Sequence, residues 1–208
     1  VTQSVLIADD HPLFRQALRL AVHHVLPEAV IHEAGTLDAA ATAAAHAQGL
    51  TLILLDLKMP GAIGYSGIAL LHAERPEVPI LVVSSSGPEA AAQARAFGAI
   101  GYLDKGSDLD AIEAAIATAL AGPVPSPTAA PDQPVDQVRA TVASFTPMQL
   151  KVLLAVLDGQ LNKQIAHRLD ISEATVKVHM TAIMRKLDVR TRTQAALVAR
   201  SLGIDLRG

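Results

Sequence analysis

Four consecutive apolar residues, Leu52-Ile53-Leu54-Leu55, followed directly by Asp56, constrain this chain more than any other feature. A strand that is apolar on both faces must be covered on both, as a central strand of a parallel sheet is. Similar short runs occur at 5–9, 31–34, 80–84 and 101–103. Helical, Ala-rich patterns fill the intervals at 13–26, 37–48, 66–75 and 89–97, and a fifth follows at 108–120.

Five β–α units predict an α/β domain over residues 1–121, a flavodoxin-like doubly wound parallel sheet in the order 2-1-3-4-5. The five prolines between Pro123 and Pro134 can neither continue a helix nor fill a central strand. They mark a linker over 122–143, in which 135–143 has the composition of a short helix. Residues 144–208 then read as a separate all-α unit of four helices. Thr146-Pro147-Met148-Gln149 is a capping-box start, and Gly159 ends that first helix. A second helix is expected near 162–169, and Asp170-Ile171-Ser172 forms a tight turn. A third helix covers 173–187 and a fourth 192–202. Two short helices joined by so short a turn make a helix-turn-helix.

Charge divides along the same boundary. Residues 1–121 carry 13 acidic and 6 basic side chains, a net of −7, whereas 144–208 carry 5 acidic and 10 basic, a net of +5. The second unit is therefore expected to meet a polyanion. The chain has no Cys, which excludes disulfides, thiolate metal sites and cysteine nucleophiles and fits a reducing, cytoplasmic setting. No apolar run is long enough to span a bilayer. The aromatics are only Phe14, Tyr65, Phe97, Tyr102 and Phe145, too few for base stacking on single strands.

In the expected topology Asp9, Asp10 and Asp56 end the first and third strands, at the point where strand order reverses and ligands bind. Three carboxylates in one crevice repel, and a hard cation such as Mg²⁺ relieves them. Ser84 and Lys105, at the ends of the fourth and fifth strands, offer a hydroxyl and an ammonium suited to phosphoryl oxygens.

The set Asp9-Asp10, Asp56-Leu57-Lys58-Met59-Pro60, Ser84 and Gly101-Tyr102-Leu103-Asp104-Lys105 resembles the receiver domain of bacterial two-component response regulators. The resemblance implies that Asp56 accepts a phosphoryl group from a sensor histidine kinase. It also implies that Asp9, Asp10, Asp56 and the backbone carbonyl of Lys58 hold Mg²⁺, that Ser84 and Lys105 bind the phosphoryl oxygens, and that Tyr102 is a switch residue. The chain departs from the family pattern at Ile63, where an Asp is common, at the acidic Asp104 beside Lys105, and in the loop Ser85-Ser86-Gly87-Pro88.

Residues 145–204, with Asn162-Lys163-Gln164-Ile165-Ala166 and Thr175-Val176-Lys177-Val178-His179, resemble the LuxR-type DNA-binding domain. Together the two halves resemble a NarL/FixJ-type response regulator. Val176, Met180, Ile183 and Leu187 recur at helical spacing and form one buried stripe, which leaves Lys177, Val178 and Thr181 for the major groove. Lys donates to guanine and Val touches a thymine methyl. By family analogy Lys163, Thr175, His179, Arg185 and Lys186 are expected on phosphates, and the last helix is expected to pair a homodimer on double-stranded DNA, with RNA polymerase as a further partner. Leu161 stands where the family has a Ser cap, and Met148-Gln149 replace an Arg-Glu pair.

The expected function is a phosphorylation-controlled transcriptional regulator, not an enzyme. The opposite charges of the two halves predict a docked, inhibited state in which the receiver covers 173–187. The alternative is a constitutive DNA-binding regulator whose receiver serves only dimerisation or docking. A phosphotransfer enzyme or phosphatase is disfavoured, since the sequence offers no separate general acid or base.

Overall fold

The computed structural model describes residues 2–122, 140–141 and 143–200. Most of the expected linker, most of the short helix at 135–143 and the end of the fourth helix lie outside the described residues.

Strands β1 (Ser4–Ala8), β2 (Val30–Ala34), β3 (Leu50–Leu55), β4 (Ile80–Ser84) and β5 (Gly101–Asp104) alternate with helices α1 (Pro12–Val25), α2 (Leu37–His46), α3 (Ser66–Glu74), α4 (Pro88–Ala96) and α5 (Leu109–Leu120). All neighbouring strands are parallel, and the order is β2-β1-β3-β4-β5, as the sequence predicts. Side chains of a strand alternate between faces. Val5, Ile7, Leu52, Leu54, Leu81 and Val83 accordingly join the layer containing buried residues of α1 and α5. Leu6, Ala8, Ile53, Leu55, Ile80 and Val82 join the layer containing those of α2, α3 and α4.

Strand ends differ by one residue from the sequence expectation: Asp9 and Asp56 follow β1 and β3 rather than closing them. Both remain tied to the sheet, since Asp9 N–H donates to Ala34 O at 3.0 Å and Asp56 N–H to Ala8 O at 2.8 Å. Their positions are set by the ladder while their side chains are free to enter the crevice.

The second unit comprises α6 (Pro147–Leu157), α7 (Asn162–Leu169), α8 (Glu173–Lys186) and α9 (Arg192–Ala199). The capping box at Thr146 is present: Thr146 Oγ1 accepts from Gln149 N–H and Gln149 Oε1 accepts from Thr146 N–H. Leu161 cannot cap through its side chain, but Gln164 Oε1 accepts its N–H at 2.7 Å, so α7 starts at Asn162.

The docking expectation is corrected. The first unit packs on α6 through α3, not on the 173–187 helix. Leu150 and residues 152–157 of α6 are buried and continue the apolar layer that holds α3. At the edge of the contact Lys151 Nζ lies 3.1 Å from Glu74 Oε1. Removal of apolar area from water is favourable at roughly 25 cal/mol per Å² and is not screened by salt. Attraction between net charges is screened within about 10 Å at 0.1 M ionic strength, so the apolar faces decide the docking. No helix among the described residues is long and apolar enough to cross a membrane.

Candidate functional site

The crevice at the carboxyl ends of β1, β3 and β5 brings together most of the acidic and basic groups expected there. Asp9 and Asp56 are 1% and 2% exposed. Lys105 Nζ lies 2.6 Å from Asp9 Oδ2 and donates to Asp56 Oδ2 at 2.8 Å. Burial acts to lower the Lys105 pKa, but the hydrogen bond to Asp56 and the close negative charges of Asp56 and Asp9 outweigh it and hold the ammonium above the usual lysine value of 10.5. The other Asp56 oxygen, Oδ1, accepts from Lys58 N–H at 3.0 Å. Arg15 secures the end of β1 from behind, donating from Nη1 to the Asp9 carbonyl at 2.7 Å and from Nε to Glu33 at 3.0 Å.

Two carboxylate oxygens, Asp9 Oδ2 and Asp10 Oδ1, are buried and accept no hydrogen bond. Asp9 Oδ2 meets the Lys105 ammonium as a close ion pair without hydrogen-bond alignment, and Asp10 Oδ1 meets His11 Nδ1 at 2.7 Å in the same way. Buried acceptors that face only cationic or ionisable neighbours fit a divalent cation.

Ser84 is fully buried at the end of β4, and its Oγ shares a hydrogen bond with Ser86 Oγ at 3.0 Å. The Tyr102 hydroxyl closes the same loop: it donates to Ser84 O at 2.9 Å and accepts Ser86 N–H at 3.0 Å. The crevice opens into a depression of about 440 Å³ lined by His11, Leu13, Phe14, Asp56, Ser85 and Lys105 among others. Here the residue facing the opening is Ser85 rather than Ser84.

Three participants escaped the sequence reading. His11 brings its ring to the carboxylates, Ser86 is hydrogen-bonded to the Ser84 and Tyr102 hydroxyls, and the Phe14 ring lies 4.8 Å beneath the Lys105 ammonium. The Asp-Asp-His run and the aromatic three residues after His11 were the available signals. Of the departures from the family pattern, Asp104 directs its carboxylate to Gly106 N–H at 2.7 Å, shaping the turn beyond β5. Ile63 is buried in the apolar layer instead of adding a charge.

In the second unit, Asp170 takes the left-handed conformation at φ 53° and closes α7. Asp is one of the few side chains that tolerates this region, through local hydrogen bonding. Ser172 then caps α8 by accepting Thr175 N–H at 3.0 Å. Val176, Met180, Ile183 and Leu187 are buried. Lys163, Lys177, Val178, Thr181 and Arg185 are exposed, with Val178 at 67%, while Thr175 and His179 are half-buried. Lys186 is set apart from the other expected phosphate contacts. Its Nζ donates to Ser144 O at 3.0 Å and Gln149 Oε1 at 2.9 Å and lies 5.2 Å from the Phe145 ring. Gln149 thus serves both the α6 cap and Lys186.

This sheet, followed by a helix-turn-helix unit, defines a receiver protein with a DNA-binding output. Residues 5–117 match the response regulator receiver domain, and residues 143–199 match the luxR family of bacterial regulatory proteins. The chain is 39% identical over 210 residues to the glycerol metabolism activator of Pseudomonas putida, covering 94% of each chain. It is 34% identical over 206 residues to the nitrate/nitrite response regulator protein NarP of Escherichia coli, covering 93% of each. Its fold is similar to that of the Salmonella typhimurium response regulator RcsB, with 20% identity, a TM-score of 0.52, and coverage of 97% of this chain and 98% of that one. The chain belongs to the NarL/FixJ-type response regulators, phosphorylation-controlled transcriptional regulators of two-component systems. The family is one of regulators rather than of classical enzymes.

Proposed function

We propose that Asp56 is the phosphoacceptor of this regulator. A carboxylate oxygen of Asp56 attacks the phosphorus of a kinase phosphohistidine, the P–N bond breaks with its electron pair returning to the imidazole, and an acyl phosphate forms. The observation that carries this reading is the convergence of Lys105 on Asp9 and Asp56 at 2.6 and 2.8 Å in a buried crevice. Lys105 neutralises the carboxylates at rest and is positioned to pair with the added phosphoryl oxygens. Asp9, Asp10, Asp56 and the Lys58 carbonyl hold Mg²⁺, which when bound supplies charge neutralisation for those oxygens.

The signal then passes through the hydroxyls beside the crevice. A phosphoryl group that takes the Ser84 hydroxyl competes with Ser86 for it, and Tyr102 is bonded to both ends of that loop. Ser86, Glu89 and Gln93 line a cleft of about 560 Å³ that also includes Lys58 and, from the second unit, Asp158. Repacking there weakens the seat of α6 on α3 and frees residues 144–208 from the receiver of residues 1–121, with 122–143 as the tether. The freed units pair on double-stranded DNA through α9. Lys177, Val178 and Thr181 meet bases, and Lys163, Thr175, His179 and Arg185 meet phosphates. The likeness to a protein named as a metabolic activator supports activation as the sense of control, with RNA polymerase as a partner in the cytoplasm.

Incubation with Mg²⁺ and a small phosphodonor, followed by intact-mass measurement, should show one added phosphoryl group on the wild type and none on Asp56→Ala. A phosphoryl group surviving that substitution sinks the assignment. One observation favours a second reading, DNA binding independent of phosphorylation: Lys177, Val178 and Thr181 are already exposed while the receiver is docked. Equal operator affinity with and without phosphodonor would establish it.

A further inference from the structure

His11 is the residue of the acidic crevice for which neither the receiver fold nor the helix it precedes has an evident use. It occupies the N-cap of α1, where Ser, Thr, Asp or Asn normally accepts a backbone N–H, yet its side chain makes no capping bond. Its ring turns instead to the acids, with Nδ1 at 2.7 Å from Asp10 Oδ1 and 3.3 Å from Asp9 Oδ1. Its own N–H donates to Asp9 Oδ1 at 2.7 Å, which fixes the backbone from which the ring projects. Carboxylate oxygens of Asp9, Asp10 and Asp56 and the His11 nitrogen all lie within 4.8 Å of one another. Among the described residues this is the one such group. Asp9, almost fully buried, faces His11 with Oδ1 and the Lys105 ammonium with Oδ2, at 2.6 Å.

We propose that His11 Nδ1 is a further, fifth protein ligand of the divalent cation, beside Asp9, Asp10, Asp56 and the Lys58 carbonyl, and that it tunes the site toward imidazole-accepting first-row ions such as Co²⁺ and Zn²⁺ over Mg²⁺. The inference rests on the acidic crevice being the cation site. Adjacent donors of an octahedral ion with bonds near 2.1 Å stand about 3 Å apart, which is the spacing of the imidazole nitrogen from its two carboxylates. Mg²⁺ takes oxygen ligands and water, whereas imidazole nitrogen favours the later transition ions. A ligating Nδ1 donates its lone pair to the ion, so the ring binds as the Nε2–H tautomer.

Pulsed electron paramagnetic resonance on the Mn²⁺-loaded full chain tests the ligand directly. Wild-type protein should show nitrogen modulation from a coordinated imidazole, and His11→Ala should lose it while still binding Mn²⁺. His11→Asn, which restores a good N-cap without a ring nitrogen, should lose it as well and guards against a folding effect. Equilibrium dialysis of Co²⁺ against Mg²⁺ should show their affinity ratio falling about tenfold or more in both variants. Bound Mn²⁺ without nitrogen modulation in the wild type overturns the proposal, as does an unchanged Co²⁺-to-Mg²⁺ ratio. Mn²⁺ binding that is absent, or indifferent to Asp9→Asn, overturns the crevice as a cation site and this proposal with it. The separate outcomes distinguish a wrong ligand from a wrong site.

Discussion

The acidic crevice and helix α8 of the luxR-type unit handle charge in opposite ways. In the receiver the charged groups are already paired: the buried Asp9 and Asp56 and the half-buried Lys105 form a closed cluster. In the DNA-binding unit Lys177, Val178 and Thr181 stand in solvent on a helix whose other face is packed. A site for one small anion and one ion gains from a dry, fixed setting in which each charge interaction is strong. A surface for a polyanion gains from many exposed, weakly held charges whose counterions are released together. Substitutions should therefore cost stability in the first region and affinity in the second.

The largest effect is expected at Lys105. Lys105→Met removes the cation between two buried carboxylates and should cost about 3 kcal/mol in urea unfolding without divalent ions, a loss that Mg²⁺ largely restores. The Lys105 contribution also has a defined pH window. Because its folded pKa is raised, the contribution is complete below the usual lysine value of 10.5 and fades as pH rises through the higher folded value. A Lys105→Met urea midpoint equal to wild type at pH 8 would contradict the closed-cluster view.

Lys177→Ala comes next, with an expected loss of about 1–3 kcal/mol in operator binding and an unchanged melting temperature. Lys163→Ala should instead weaken binding to all sequences and reduce the salt slope by about 1 in fluorescence titrations. Lys186 tests the boundary between the two behaviours. Its partners Ser144, Gln149 and Phe145 make Lys186→Ala a stability variant, with about 1–2 kcal/mol lost in thermal unfolding. Operator affinity falling more than stability would return Lys186 to the DNA face.

The smallest effect is expected at the domain contact. Glu74→Gln removes one partner of the Lys151 pair and should change stability by about 0.5–1 kcal/mol. It should also increase the population of separated domains in small-angle scattering. No shift in scattering would mean that apolar packing alone sets the docked state.

Local rules were readable wherever one stretch of chain decides the outcome. The apolar run before Asp56 placed that carboxylate at the crevice, and the Thr146 and Ser172 caps located two helix starts to the residue. The buried stripe on α8 followed from spacing alone. What could not be read depends on partners far along the chain. Lys186 reads as a basic residue near a helix end until Gln149, 37 residues away, takes its ammonium. His11 is adjacent to its carboxylates in sequence, yet the direction of its ring is a rotamer that no pattern encodes. The α3–α6 seat was hidden because both segments read as ordinary apolar helices, and net charge pointed to a different surface.

The nearly complete burial of α3 has a consequence for how such proteins are cut and recombined. Ser66 through Leu71 are all buried because the sheet lies on one side and α6 on the other. A fragment ending at residue 121 would bare the side that α6 normally covers, and an exposed apolar patch invites self-association. An output domain grafted in place of this one would have to bring a matching greasy helix with it. The modularity seen in the two matched families is thus limited, in this chain, by a shared wall that neither module owns alone.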